Sequence, residues 1–152
     1  MRLGLRIAHP GAAWLSATGT FAIYLLTMAR DLTFYDSPEL ALVAHQLGVG
    51  HPVGQPLHTL VGWVFAHIPY VSVHVGLTMM SALFGAMCAL PAWSLAERLG
   101  GSSWSTVWIR ALVTVGVGAS LIAWEPSGRV EVYTLAAFAA LWSIAFAADH
   151  PG

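Results

Sequence analysis

Charge is what this sequence has least of. Only 9% of its 152 residues are Asp, Glu, Lys or Arg, about a third of the usual share in a soluble domain. A soluble chain this short keeps much of its surface in water and needs far more polar side chains to cover it. The formal net charge is −1 and no basic tract occurs, which argues against nucleic acid as a partner. Cysteine is almost absent. With Cys88 alone, no intrachain disulfide and no cysteine-based metal cluster can form, and its apolar neighbours mark it as a small packed hydrophobe. There is no internal repeat and no low-complexity tract. No histidine pair has metal-site spacing with a third ligand. Gly48, Gly50 and Gly54 follow no strand, so they do not form a nucleotide-binding fingerprint.

What is present is hydrophobic length. Hydrophobic residues make up 57% of the chain. A helix needs about 20 apolar residues to cross a hydrocarbon core of about 30 Å. Four segments approach that length: 11–29, 75–96, 104–124 and 132–148. The first follows Arg2 and Arg6 but exceeds the roughly 7–15 residues of a secretory signal, so it reads as a retained signal-anchor helix. The second contains Pro91, which membrane helices tolerate. The third is charged only at Arg110, near one end, from where the side chain can snorkel to the interface. Trp104, Trp124 and Tyr133 fall near span ends, where aromatic belts belong. The expected fold is therefore all-α: one membrane domain over 1–152 with about four transmembrane helices.

Two shorter apolar stretches lie in the first external loop, 30–74. The stretch 57–68 is too short to span, at about 18 Å as a helix. Leu57, Leu60, Val61, Val64, Phe65 and Ile68 share one face, and His58, Thr59, Gly62 and His67 another, the pattern of a helix lying in the interface. The stretch 38–47 is similar, with Pro38 at the first turn and Gly48 placed to end the helix. His45, His58 and His67 read as polar-face residues of these helices. With four spans, Arg2, Arg6, Arg98 and Arg110 face the cytoplasm, as the positive-inside rule requires. Arg30 and Arg129 lie on the other side with Asp31, Asp36, Glu39, Glu125 and Glu131. Were 57–68 also to span, Asp36 and Glu131 would be separated by the membrane.

Two acidic loops thus share the non-cytoplasmic side. Carboxylates there can take a proton, bind a metal or position a hydroxyl, and Arg129 and His51 can face a phosphate. Each residue also has a structural reading. Asp36-x-x-Glu39 is a capping-box pattern, with Ser37 an alternative cap. Glu131 suits a helix N-terminus. Arg129 can pair with Glu125 or Glu131. For His51, loop hydrogen bonding and function stand even.

Five motifs then run in order: Tyr24-Leu-Leu-Thr27, Phe34-Tyr-Asp-Ser-Pro-Glu39, Leu47-Gly-Val-Gly-His-Pro-Val-Gly-Gln-Pro-Leu57, Ser81-Ala-Leu-Phe-Gly-Ala86 and Glu131-Val-Tyr-Thr-Leu135. Over roughly 15–148 this resembles the N-terminal part of the protein O-mannosyltransferase-like membrane family, long catalogued as a domain of unknown function. That family sits within the GT-C superfamily of multi-spanning glycosyltransferases. The resemblance implies transfer of a sugar, mannose by the family's name, from a polyprenyl-phosphate carrier to a protein or glycan acceptor on the non-cytoplasmic side. It implies Asp36 as base or acceptor-positioning group, Glu39 as a second carboxylate, His51 as the histidine of a His-Pro-Pro loop and Glu131 as the acid opening a later helix. Arg129 is the candidate cation to stabilise the charge of the leaving phosphate. Pro38 replaces a usual glycine, Val53 the second proline of the loop, and Gln55 a usual aromatic. GT-C enzymes have many more spans than four, so the remainder of the module is an expected partner, beside membrane lipid and the lipid-linked sugar donor. No cofactor is implied. Two other readings follow from the same residues: a non-catalytic subunit or truncated remnant of such an enzyme, and a small transporter component.

Overall fold

The computed structural model describes residues 7–31, 35–51, 55–100 and 104–149. Arg2, Arg6, Phe34 and Val53 lie outside them. Among the described residues there are eight helices and no strand. They are α1 (Pro10–Thr27), α2 (Ser37–Gln46), α3 (Pro56–Ala66), α4 (Val73–Met87), α5 (Ala89–Gly100), α6 (Trp104–Gly118), α7 (Leu121–Ser127) and α8 (Tyr133–Asp149). The all-α expectation holds, and each apolar stretch of the sequence is helical.

Proline starts three of them. Pro10, Pro38 and Pro56 stand at the first turns of α1, α2 and α3, where the missing N–H costs nothing and φ is preset. Pro91 acts differently. It cannot donate to the carbonyl of Met87, four residues back, and α4 ends at Met87. Cys88 bridges the gap, its N–H bonded to Gly85 and Ala86. The two pieces continue as one run, Val73–Gly100, 28 residues and apolar enough to cross a membrane.

The expected span at 104–124 is not straight. α6 and α7 meet at 59° across Ala119 and Ser120. The Ser120 hydroxyl bonds the Val117 carbonyl at 2.6 Å, and Gly118 packs so closely on α1 that Tyr24 Oη donates to its carbonyl at 2.8 Å. Among the described residues, one helix is long and apolar enough to cross a membrane, or two if the bent pair is one span; α1, although 18 residues long, is not among them, and α8, at 17, is shorter. The end of α2 also departs from expectation. The left-handed residue is Leu47, at φ 52°, rather than Gly48, whose N–H bonds the Val43 carbonyl at 2.9 Å.

Small residues let the helices approach. Ala13, Ala17 and Ala89 surround the buried Trp93. Ala82 and Ala86 pack on Tyr24, and Ala41, Ala44 and Ala66 share a cluster with Leu77 and Met80. Bulky side chains point outward instead: Leu15 and Leu26 on α1, Trp108 and Leu112 on α6, Ile122 on α7 and Ile144 on α8 are exposed. α3 repeats this inversion. Its Leu57, Leu60 and Val64 are exposed, while His58, Thr59, Gly62 and Ala66 are buried. The expectation that His58 lies on an outward polar face is therefore corrected. His45 and His67 are exposed as expected and stack on one another. Exposed apolar side chains grouped in this way mark an interaction surface.

Arg110 is a further correction. It does not snorkel: it is 6% exposed, pairs with Glu97 at 3.3 Å and lies over the Trp93 ring. Glu97 also accepts from Trp93 Nε1 and from the Ala8 N–H. Beside it, Arg98 pairs with the buried Asp149. Glu97 supplies the opposite charge that the buried Arg110 guanidinium needs.

Candidate functional site

The opposite end of the bundle carries the acids singled out in the sequence. Ser37 opens α2, and its hydroxyl donates to the Val130 carbonyl at 2.9 Å. That bond ties the start of α2 to the loop before α8. Ser81 on α4 holds the same loop: its Oγ accepts from the Glu131 N–H at 3.2 Å and faces the Glu131 carbonyl at 3.3 Å. The close of α1 joins in through Ala29, whose N–H donates to the Gly128 carbonyl at 2.7 Å. Residues 93 positions apart in sequence are thus neighbours.

The capping-box expectation fails here. Asp36 is the residue before α2, in helical conformation, with no side-chain cap bond. Glu39 turns the other way. Its carboxylate accepts from the His51 N–H at 2.7 Å and pairs with His51 Nδ1 at 3.0 Å. These bonds from His51, backbone first, hold the Glu39 carboxyl below its ordinary value. The hydrogen bond to Glu39 raises the His51 imidazole in turn, with a further contribution from the charge of Asp36. Asp36 is exposed and makes no cap, so its carboxylate is accessible.

The second half of the site is an ion-pair relay. Arg129 Nη1 bonds Glu125 and Nη2 bonds Glu131, both at 3.0 Å. The two alternatives for Arg129 in the sequence are therefore realised together. Glu131 is 14% exposed. Burial raises its carboxyl, Arg129 opposes the rise, and Asp36 adds to it. The charge of Asp36 thus acts on both halves, Glu39–His51 and Arg129–Glu131. Asp36, Glu39, His51, Arg129 and Glu131 share one end of the bundle. Roughly 24 Å, at 1.5 Å per residue, separates Ser81 from Glu97 along the α4–α5 run, so the two charged clusters sit at opposite ends.

Sequence reasoning missed several residues there. Ser81 belongs to a quoted motif but received no role. Among the described residues, Gln55 Oε1, His58 Nε2 and Thr134 Oγ1 are buried without a hydrogen-bond partner, as is Nε of the already named Arg129. The shared face of His58, Thr59 and Gly62 is legible in the sequence, but its turning inward is not.

An all-helical fold with small residues at its contacts, bulky apolar residues outside and an acid-rich cluster at one end defines the class. The comparisons give the family. Residues 36–148 match the family described as the protein O-mannosyl-transferase TMEM260 N-terminal domain, and the chain belongs to it. A Mus musculus relative named protein O-mannosyl-transferase TMEM260 is 35% identical over 116 residues, covering 75% of this chain and 16% of the relative. A Dictyostelium discoideum protein of the same name is 38% identical over 71 residues, 45% of this chain and 9% of that protein. The chain thus spans less than a fifth of the length of these relatives. No solved structure matches it.

Proposed function

We propose that this chain is the N-terminal portion of a membrane glycosyltransferase. It moves a sugar, mannose by the name of its relatives, from a polyprenyl-phosphate carrier to an acceptor hydroxyl on the non-cytoplasmic side. The observation that carries the reading is the Ser37–Val130 bond, which brings Asp36 and Glu39–His51 beside Arg129–Glu131. Family membership over 36–148 supports it, as do the outward-facing apolar side chains, which lipid would cover. The topology has four spans, 11–29, 75–96, 104–124 and 132–148, with α2 and α3 in the interface and the N-terminus cytoplasmic.

In this mechanism the acceptor oxygen attacks the anomeric carbon while the bond from that carbon to the carrier phosphate breaks. The phosphate leaves with the bonding electron pair. Asp36 takes the acceptor proton, being the accessible carboxylate of the cluster. Glu131 stays bound to Arg129 and orients it. Arg129 spends one N–H of each terminal nitrogen on these pairs, so a second N–H on each remains for the phosphate. His51, whose charged form Glu39 favours, is a second group able to carry positive charge there.

The test is sugar transfer from a polyprenyl-phosphate mannose donor by a full-length family member carrying Asp36→Asn or Glu131→Gln. Loss of transfer is expected for both, and full transfer by both variants overturns the reading. The occupied state of Arg129 favours one alternative, a non-catalytic subunit. Co-purification with a larger partner that supplies the activity would select it.

A further inference from the structure

Buried polar atoms without partners are uncommon, and each calls for an explanation such as a ligand or water. Four of them gather at one end of this bundle: Gln55 Oε1, His58 Nε2, Arg129 Nε and Thr134 Oγ1. His58 is 3% exposed. The packing of α3 on α4 fixes its level. Gly62 abuts Leu77, and Gly76 abuts the Phe65 carbonyl, so the two helices run antiparallel. His58 lies one turn before Gly62, and Ser81 one turn after Leu77. His58 therefore stands level with Ser81, the residue that holds the Glu131 backbone. Gln55, just before α3, reaches the other half of the site. A β-carbon on Gly50 would lie 3.5 Å from Glu39 Oε1 and 3.7 Å from Gln55 Oε1.

Resting on the glycosyltransferase reading, we infer that Gln55 and His58 form a sugar-binding subsite between the Glu39–His51 and Arg129–Glu131 pairs. The chemistry of the four atoms selects the ligand. Gln55 Oε1 accepts, Arg129 Nε donates, and a neutral imidazole or a hydroxyl fits either role. Burial pushes His58 down to about 4, so its ring is uncharged near neutral pH. Gln55 and the neutral His58 carry no charge to pair with an anion, and an uncharged ring of hydroxyls, each donating and accepting, fits the set.

The chain in detergent micelles, labelled with 15N-histidine, is titrated with methyl mannoside. The His58 ring resonances are expected to move with saturation. His58→Leu and Gln55→Leu each weaken binding about ten-fold, the worth of one or two neutral hydrogen bonds. His58→Leu does so without lowering the melting temperature, because it removes an orphaned polar atom; a merely structural histidine would change stability and leave affinity alone. Gln55→Leu and the unmutated chain keep the test informative if His58→Leu does not fold. Saturable binding that leaves His58 unmoved, with affinity unchanged in both variants, overturns the subsite. The absence of any saturable response also overturns it. The wider reading fails separately, on the transfer assay with Asp36→Asn and Glu131→Gln.

Discussion

At the residue scale, the Glu39–His51 pair sets a pH window. Glu39 is held below its ordinary 4.5 and His51 above its ordinary 6.5. The Glu39 contribution is present above 4.5 and is lost as pH falls through its lowered value. The His51 contribution is complete below 6.5 and is lost as pH rises through its raised value. Their joint effect is greatest between about 4.5 and 6.5. Glu39→Gln is expected to bring the His51 titration, followed by NMR, back toward 6.5; an unmoved titration would mean the pair does not form. Glu131 has the opposite sense to Glu39. Its raised carboxyl favours the fold at low pH, and this contribution fades as pH rises from 4.5 through the folded value. Arg129→Met removes the guanidinium that opposes the rise, so Glu131 should titrate higher still, as read from its side-chain carbon shift.

At the element scale, helix contacts depend on missing side chains. Gly76 lies against the Phe65 carbonyl, which is backbone and cannot swing aside. Gly76→Ala is expected to cost about 1–3 kcal/mol of stability, the usual cost of overpacking, measured as a lowered melting temperature in detergent. A neutral result would mean α3 is loosely docked. At the far end, Glu97 and Arg110 are both largely buried. Arg110→Met should cost about 3–5 kcal/mol, since it strands a buried carboxylate. Adding Glu97→Gln should recover part of the loss, because the second change removes the stranded charge.

At the scale of the whole molecule, the two charged ends predict sidedness. With Cys88 replaced by Ala, single cysteines at Val49 and Leu99, both more than nine-tenths exposed, should label from opposite sides with a membrane-impermeant maleimide. Val49 should react from outside intact cells and Leu99 after lysis. Labelling of both from the same side would sink the four-span topology.

The sequence by itself determined the helices. Apolar run length, prolines at first turns and the five ordered motifs are local or linear features, and α1, α2, α3 and α8 follow the expected segments to within a few residues. It also named Asp36, Glu39, His51, Arg129 and Glu131, because charge in so apolar a chain is conspicuous. Only the tertiary structure decided how these residues are used. Hydrogen bonds are won by whichever partner the fold brings near: Glu39 left the helix start for His51, Ser37 bonded Val130, and Arg129 took both of its alternatives. Periodicity separates the two faces of α3 but does not say which is inside. Close contact with Leu77 admits Gly62 and not a bulky side chain, so the polar face turned inward and buried His58.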